Sequence, residues 1–268
     1  MRVLVTGAAG SIGRVVCPGL TRQGHDVVGA DLVGAPTDGD AWQVLDCADP
    51  AQVDAAVERI RPDGIVHLAG IPTESALPEA LVSHVHTTAA LLEAMVRHDV
   101  PRLVYASSNH AVGRTPRAEL PGPVLGVDTR PRPDTFYGVA KVAAEGLLSL
   151  YADRQRLDVV ACRIGSFLER PASRRALSTW LSPDDCVRMF DAALTCPSPG
   201  FAVIYGVSDN TRGWWDLEPG RSLGYAPQDD AELFAAEVES VPPGPADDEE
   251  ARHVGGPYAT GRFERPAF

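Results

Sequence analysis

Apolar residues recur along this chain in two rhythms: short apolar runs, and longer stretches in which apolar positions return every third or fourth residue. The first rhythm predicts strands buried on both faces and the second amphipathic helices. Their alternation predicts a parallel sheet with helices packed against it. Val3–Val5 reads as the first strand, Ser11–Arg22 as the helix after it with Gly24 as its stop, and Asp26–Ala30 as the second strand. A short strand at Trp42–Leu45 precedes a helix at Pro50–Ile60, with Asp49 as the expected N-cap and Pro62 beyond the end. Strands at Gly64–Leu68, Leu103–Ala106 and Val159–Cys162 then alternate with helices at Glu79–Arg97 and Asp134–Arg154. Pro116–Arg132, rich in Pro and Gly, reads as loop.

After Gly165 the pattern weakens. Pro183–Leu194 and Asp229–Val238 read as helices and Ala202–Tyr205 as a strand. From Pro242 the chain is rich in Pro, Gly and Asp without periodicity, the composition of a surface-wrapping or loosely held segment. No internal repeat and no linker divides the chain. The expected fold is α/β, a doubly wound parallel sheet (Rossmann fold) with a short C-terminal extension. Residues 1–268 are expected to form a single domain, of which 166–268 supply a substrate pocket and a surface segment.

Composition narrows the function. With 268 residues, 44% hydrophobic and 22% charged, the chain can bury a full core without disulfide staples. It carries 24 Lys and Arg against 36 Asp and Glu, a net charge of −12 with no dense basic run. That balance argues against nucleic acid and anionic membrane surfaces as partners. No apolar run approaches the roughly 18 residues of a membrane span. The opening Met1–Gly7 breaks into glycine too early for a signal segment. The five cysteines are odd in number and scattered, with no CxxC pair. They point to no zinc site and no disulfide framework, and a reducing cytoplasm fits best.

The first chemical motif is Gly7-Ala8-Ala9-Gly10-Ser11-Ile12-Gly13, set between a strand and a helix. Glycines there let the backbone turn tightly and approach a pyrophosphate, and the helix N-terminus offers free N–H groups to it. Asp31 ends the second strand 18 positions after Gly13, close to the roughly 20 expected of a carboxylate that binds a ribose. A carboxylate there accepts both adenosine ribose hydroxyls and repels a 2′-phosphate, so NAD is the expected cofactor rather than NADP. Asp46, after the third strand, is a candidate for the adenine amino group, with a plain surface-turn aspartate as the equal alternative.

This glycine spacing resembles the short-chain dehydrogenase/reductase superfamily, particularly its extended members. The resemblance predicts a serine after strand five and Tyr-x3-Lys on the next helix. Both are present, as Tyr105-Ala106-Ser107-Ser108 and Tyr137-Gly138-Val139-Ala140-Lys141. A spacing of four puts Tyr137 and Lys141 on one helical face. A free tyrosine has a pKa near ~10, too high for an efficient base at neutral pH. The Lys141 ammonium and a positive nicotinamide ring are expected to favour the phenolate. In this reading Tyr137 takes a substrate hydroxyl proton, Lys141 also holds the nicotinamide ribose, and Ser108 positions the reacting oxygen. Ser107 is the alternative, with the family's run of serines favouring the later one. Leu68-Ala69-Gly70 matches the segment that backs the adenine and ribose.

The match narrows further. Ser107-Ser108-Asn109-His110 is unusual for nucleotide-sugar epimerases, and Arg163-Ile164-Gly165-Ser166, Leu177-Ser178-Thr179-Trp180, Asp184-Asp185, Gly213-Trp214-Trp215-Asp216 and Leu223-Gly224-Tyr225-Ala226-Pro227 resemble the uronate dehydrogenase family, a resemblance that covers nearly the whole chain. That resemblance implies oxidation of glucuronate or galacturonate at C1 with NAD, giving an aldarolactone, in a homo-oligomer. It assigns Ser108, Asn109, His110, Ser166 and Arg175 to the uronate. A guanidinium fork suits the carboxylate; Arg170 and Arg174 lie nearby as alternatives, and Arg175 is preferred through the family's Arg-x-Leu-Ser-Thr-Trp. A structural loop histidine is the competing reading of His110. Trp214 and Trp215 read as core or interface residues.

Two positions depart from the family. His84 stands where extended members usually carry Asn, with Thr87-Thr88 after it. Pro72 falls where some relatives have a hydroxyl residue, so Thr73 is assigned that contact. A nucleotide-sugar epimerase or dehydratase is the first rival function, but about 100 residues follow strand six, little for a nucleotide-sugar lobe. A non-catalytic NAD-sensing module is the second, disfavoured because Tyr137 and Lys141 are both retained. An acidic protein that binds anions must do so through local fields, with little long-range steering.

Overall fold

The computed structural model describes residues 1–35, 41–120 and 124–261. It begins with β1 (Arg2–Thr6), α1 (Gly13–Arg22), β2 (Asp26–Asp31), β3 (Trp42–Val44), α2 (Pro50–Ile60) and β4 (Gly64–His67). Next, α3 (Leu77–Leu81) runs through a π turn (Val82–His86) into α4 (Thr87–Arg97), followed by β5 (Arg102–Ser108), α5 (Phe136–Gln155) and β6 (Asp158–Ile164). The last third adds β7 (Ser166–Phe167), α6 (Ala176–Thr179), β8 (Trp180–Leu181), α7 (Pro183–Thr195) and β9 (Phe201–Gly206), then short helical turns. Seven strands form one sheet in the order β3-β2-β1-β4-β5-β6-β9, with every pairing parallel. β7 and β8 pair separately. The strand order reverses between β1 and β4, the place where a doubly wound sheet opens a crevice at its C-terminal edge.

Strand alternation fills two layers. Leu4, Ile65, Leu103 and Val159 face one side and pack on Val53 and Val57 of α2, Leu91 and Met95 of α4, and Leu148 of α5. Their neighbours Val3, Val5, Val66, Val104 and Val160 face the other, against Val16 and Leu20 of α1 and Met189 and Phe190 of α7. Because helices cover both faces, these strands read as apolar runs rather than as apolar–polar alternation.

Several expected boundaries shift for local reasons. Asp49 does cap α2, accepting the N–H groups of Ala51 and Gln52. The helix expected from Ser11 begins at Gly13, because Gly10 N–H closes a turn onto Gly7 O at 3.1 Å. The helix expected over Glu79–Arg97 starts at Leu77 and widens into the π turn. There Thr87 and Thr88 donate their hydroxyls to the carbonyls of Ser83 (2.7 Å) and His84 (2.5 Å), bonds that compete with the regular ladder. The helix expected from Asp134 begins at Phe136, since Thr135 is extended and caps Gly138 N–H. The expected Asp229–Val238 helix divides: Asp230 caps a 3₁₀ turn over Ala231–Phe234, and α-helix follows only over Ala235–Glu239.

The segment from Pro242 runs over the surface, with no buried residue across 242–252, and is pinned at its end. Val254 is fully buried with Trp214 and Trp215, and its N–H donates to Thr115 O at 3.0 Å. Arg117 N–H donates to Arg252 O at 2.9 Å. The stretch around Arg252–Val254 is therefore anchored rather than loose. Residues 121–123 of the loop and 262–268 of the tail lie outside the described residues. Among the described residues no helix is long and apolar enough to cross a membrane.

Candidate active site

A cleft of about 760 Å³ opens along the C-terminal ends of the strands. One end is built by the glycine turn after β1. Gly7 sits at φ +71°, and a Cβ on it would lie 2.6 Å from the backbone of Ala69. A Cβ on Gly13 would lie 2.5 Å from the carbonyl oxygens of Gly7 and Ala8. Only glycine fits either place, so the turn closes tightly on Leu68-Ala69-Gly70, which line the same cleft. Ser11 and Ile12 line it too. Among the described residues no side chain caps the start of α1 and its first turn holds no acidic residue; the N–H groups of Arg14, Val15 and Val16 go to the carbonyls of Gly10 and Ile12, and the positive end of the helix faces the cleft. At the end of β2, Asp31 accepts Ala9 N–H at 2.9 Å and Leu32 N–H at 2.8 Å, one on each carboxylate oxygen. Each oxygen keeps a lone pair for a further donor. Asp46 lines the cleft and accepts Ala48 N–H at 2.8 Å. This end fits a dinucleotide: close backbone for a pyrophosphate, a helix N-terminus for its charge, a carboxylate for a ribose.

The other end joins the expected catalytic trio. Ser108, Tyr137 and Lys141 all line the cleft. The Ser108 hydroxyl, which accepts His110 N–H at 3.2 Å, lies near enough to the Tyr137 phenol to favour its ionised form. Lys141 Nζ donates to Ala106 O at 2.7 Å and lies 5.3 Å from the Tyr137 ring centre. The electrostatics depart from expectation. Burial pushes the Tyr137 phenol up to about 12, and the group that lowers it is Ser108, not Lys141. Lys141 is itself pushed down to about 7 by burial, with Glu145 opposing.

Ser107 is engaged elsewhere. Its hydroxyl donates to Glu145 Oε1 at 2.5 Å, and Arg163 grips the same carboxylate through Nε (3.0 Å) and Nη2 (2.8 Å). That buried triad leaves Ser108 as the serine directed at Tyr137.

The residues assigned to the sugar divide into two groups. His110 lines the cleft, with Nδ1 donating to Asp134 Oδ2 at 2.7 Å and its ring 4.3 Å from that of Tyr258. Thr73, Asn109, Ser166 and Arg175 are not among the side chains that line it. Thr73 is exposed and Asn109 is buried next to Ser108. Ser166 Oγ is paired with Thr179 Oγ1 at 2.8 Å. Arg175 reaches Ser166 Oγ at 3.3 Å and Val254 O at 2.8 Å, while its buried Nε has no partner among the described residues. Arg170 and Arg174 turn outward, to Glu237 and Glu239. His84 is buried in the π turn, with its ring edge-on to Tyr137 at 5.2 Å. Burial and the nearby Lys141 push its imidazole down to about 2, so it is neutral.

Four functional neighbours escaped the sequence reading. Glu145, Asp134, Tyr258 and Glu74 pack around the trio and His110. Only Glu145 left a local signal, lying one turn after Lys141 on the buried face of α5.

The model of the NAD dependent epimerase/dehydratase family matches residues 3–170. A uronate dehydrogenase of Pseudomonas syringae pv. tomato is 39% identical over 267 residues, 98% of this chain and 94% of that one. The crystal structure of uronate dehydrogenase from Agrobacterium tumefaciens superposes with a TM-score of 0.90 at 38% identity, covering 100% of this chain and 98% of that one. A tyrosine mutant of the same enzyme, complexed with NAD, gives a TM-score of 0.90 at 37% identity over the same shares of each chain.

Proposed function

This chain belongs to the NAD-dependent epimerase/dehydratase family, and from that premise we propose that it is a uronate dehydrogenase. It oxidises C1 of a cyclic hexuronate, D-glucuronate or D-galacturonate, to the aldarolactone. The observation that carries this reading is the meeting, in one cleft, of a dinucleotide cradle with the Ser108–Tyr137–Lys141 cluster.

In this proposal Gly7, Gly10, Ser11, Ile12 and Gly13 cradle the pyrophosphate, Asp31 holds the adenosine ribose, and Asp46 with Leu68-Ala69-Gly70 backs the adenine end. When bound, NAD supplies the hydride acceptor and a positive ring charge near the phenol. Tyr137 takes the proton of the C1 hydroxyl, and Ser108 holds the same oxygen. Lys141, with one N–H spent on Ala106, offers its others to the nicotinamide ribose. The C1–H electron pair leaves as hydride while the C1–O bond gains double-bond character, so a lactone departs. Arg175 and Ser166 hold the carboxylate, and Asn109, His110 and Thr73 serve the hydroxyls. Asp134 fixes the imidazole of His110 by accepting a hydrogen bond from its Nδ1–H. The chain would act as one domain, residues 166–268 completing the sugar side, in a cytoplasmic homo-oligomer.

The test is NADH formation with a sugar panel containing both uronates and their neutral counterparts. Turnover of uronates with a lactone visible by NMR of the fresh mixture is expected. An epimerised sugar as the sole product would eliminate the reading.

A further inference from the structure

The loop between Gly70 and α3 is gripped at both ends. At its start the π turn holds Ile71 twice: Ile71 N–H donates to Ser83 Oγ at 2.7 Å, and Ile71 O lies 3.0 Å from His84 Nε2. Gly70, at φ +153°, makes this contact possible, since a Cβ there would lie 2.6 Å from His84 Nδ1. At the other end Glu74 crosses to α5. Oε1 accepts the N–H of Phe136 at 3.0 Å, and Oε2 accepts the N–H of Tyr137 at 2.9 Å. These residues open a helix of 20 residues, whose first N–H groups have no acceptor within the helix. Thr135 supplies the other acceptors, through Oγ1 to Gly138 N–H and through its carbonyl to Val139 N–H. Glu74 thus spans the cleft-lining turn at Gly70–Pro72 and the backbone of Tyr137 itself.

We propose that Glu74 is a positioning residue that fixes Tyr137 for proton transfer. The proposal rests on the reading of Tyr137 as the proton acceptor. First turns of helices fray, and Tyr137 sits in the first turn of α5. A carboxylate that accepts both opening N–H groups makes two charge-assisted bonds and complements the positive end of the helix. It removes the freedom that would otherwise let the phenol drift from Ser108. Misplacement by ~1 Å can cost on the order of 10²-fold in rate, so a bond to the backbone can govern turnover without touching substrate. Glu74 lies beyond the cleft lining, and its carboxylate is spent on the helix.

The test uses Glu74→Ala and Glu74→Gln in the full chain. For Glu74→Ala, kcat should fall by about tenfold or more while KM for NAD stays within about twofold. Amide hydrogen exchange at Phe136–Gly138 should accelerate in the unliganded protein while the sheet core is unchanged. Glu74→Gln keeps one oxygen acceptor and should recover part of kcat and part of the protection. Unchanged exchange and unchanged kcat in Glu74→Ala would overturn the proposal. So would equal losses in both variants with exchange raised throughout the protein. Should Glu74→Ala not fold, Glu74→Gln decides alone: protection and kcat equal to wild type overturn the role, and a selective loss at Phe136–Gly138 supports it. A wild-type protein inactive on uronates speaks against the substrate reading instead, because the exchange measurement needs no substrate.

Discussion

Lys141 Nζ lies 5.3 Å from the centre of the Tyr137 ring, and the same burial moves the two groups in opposite directions. The phenol is pushed up to about 12 and the ammonium down to about 7. The lysine shift has a consequence for stability. Its unfolded pKa is about 10.4. Between about 7 and that value the unfolded chain binds the extra proton, so stability rises with pH through the window. Below pH 7 the full cost of the buried charge is felt. Tyr137 acts in the other sense, but only above about pH 10, and buried Cys47, pushed up to about 12, acts only above about 8.5. Denaturant unfolding between pH 6.5 and 8 should therefore show wild-type stability climbing and a flatter curve for Lys141→Met. Parallel curves would mean that Lys141 keeps its proton throughout.

Neighbouring serines should separate cleanly on substitution. Ser107 donates to Glu145 within the buried triad with Arg163, whereas Ser108 lines the cleft and is the side chain that favours the Tyr137 phenolate. Ser107→Ala should cost about 1–2 kcal/mol of stability, with kcat within a few-fold of wild type. Ser108→Ala should lower kcat by roughly 10²-fold with the melting temperature nearly unchanged. Steady-state kinetics beside thermal melts decide it, and a reversed pattern would exchange the two roles.

The family's serine run favoured Ser108, and strand alternation gives the physical reason. Ser107 shares parity with Leu103 and Tyr105 and so faces the α5 layer. The cradle was legible because its signals are local: the Gly7–Gly13 turn, the Asp49 cap and the Tyr137–Lys141 spacing are each written within a few consecutive residues. Glu74 was not, because its partners lie 62 and 63 residues away and nothing near it marks a cap in trans. The anchors of the tail were not legible because it buries single residues, Val254 among tryptophans and Gly256 against Arg175, rather than a repeating face. Periodicity reports faces and is blind to such isolated contacts. The π turn was hidden because its cause, two threonine hydroxyls bonding backwards, does not change the apolar pattern.

Asp31 should set cofactor choice. Its oxygens hold Ala9 and Leu32 N–H groups, which aim the carboxylate into the cleft. A 2′-phosphate placed there would meet like charge. Asp31→Ser should raise KM for NAD about tenfold or more and narrow the preference over NADP by a similar factor. The ratio of kcat/KM for the two cofactors is the readout. A ratio unmoved by the substitution would take the selector role from Asp31.

Gly256 is expected to matter for uronate recognition although it lies in the tail. It sits at φ +58°, and a Cβ on it would lie 2.1 Å from Arg175 Nε and 2.2 Å from Cδ. The backbone of the tail therefore forms one wall of the guanidinium's seat, with Val254 O accepting from Nη2 at 2.8 Å. Gly256→Ala adds left-handed strain of about 1–2 kcal/mol and must displace either the tail or the arginine. In the proposed enzyme, KM for uronates should rise about tenfold, with kcat/KM for a neutral aldose changed far less. Arg175→Ala should do the same by removing the fork outright. Since both act on one side chain, the double variant should be no worse than Arg175→Ala alone. Additive losses in the double variant would show that Gly256 works through something other than Arg175.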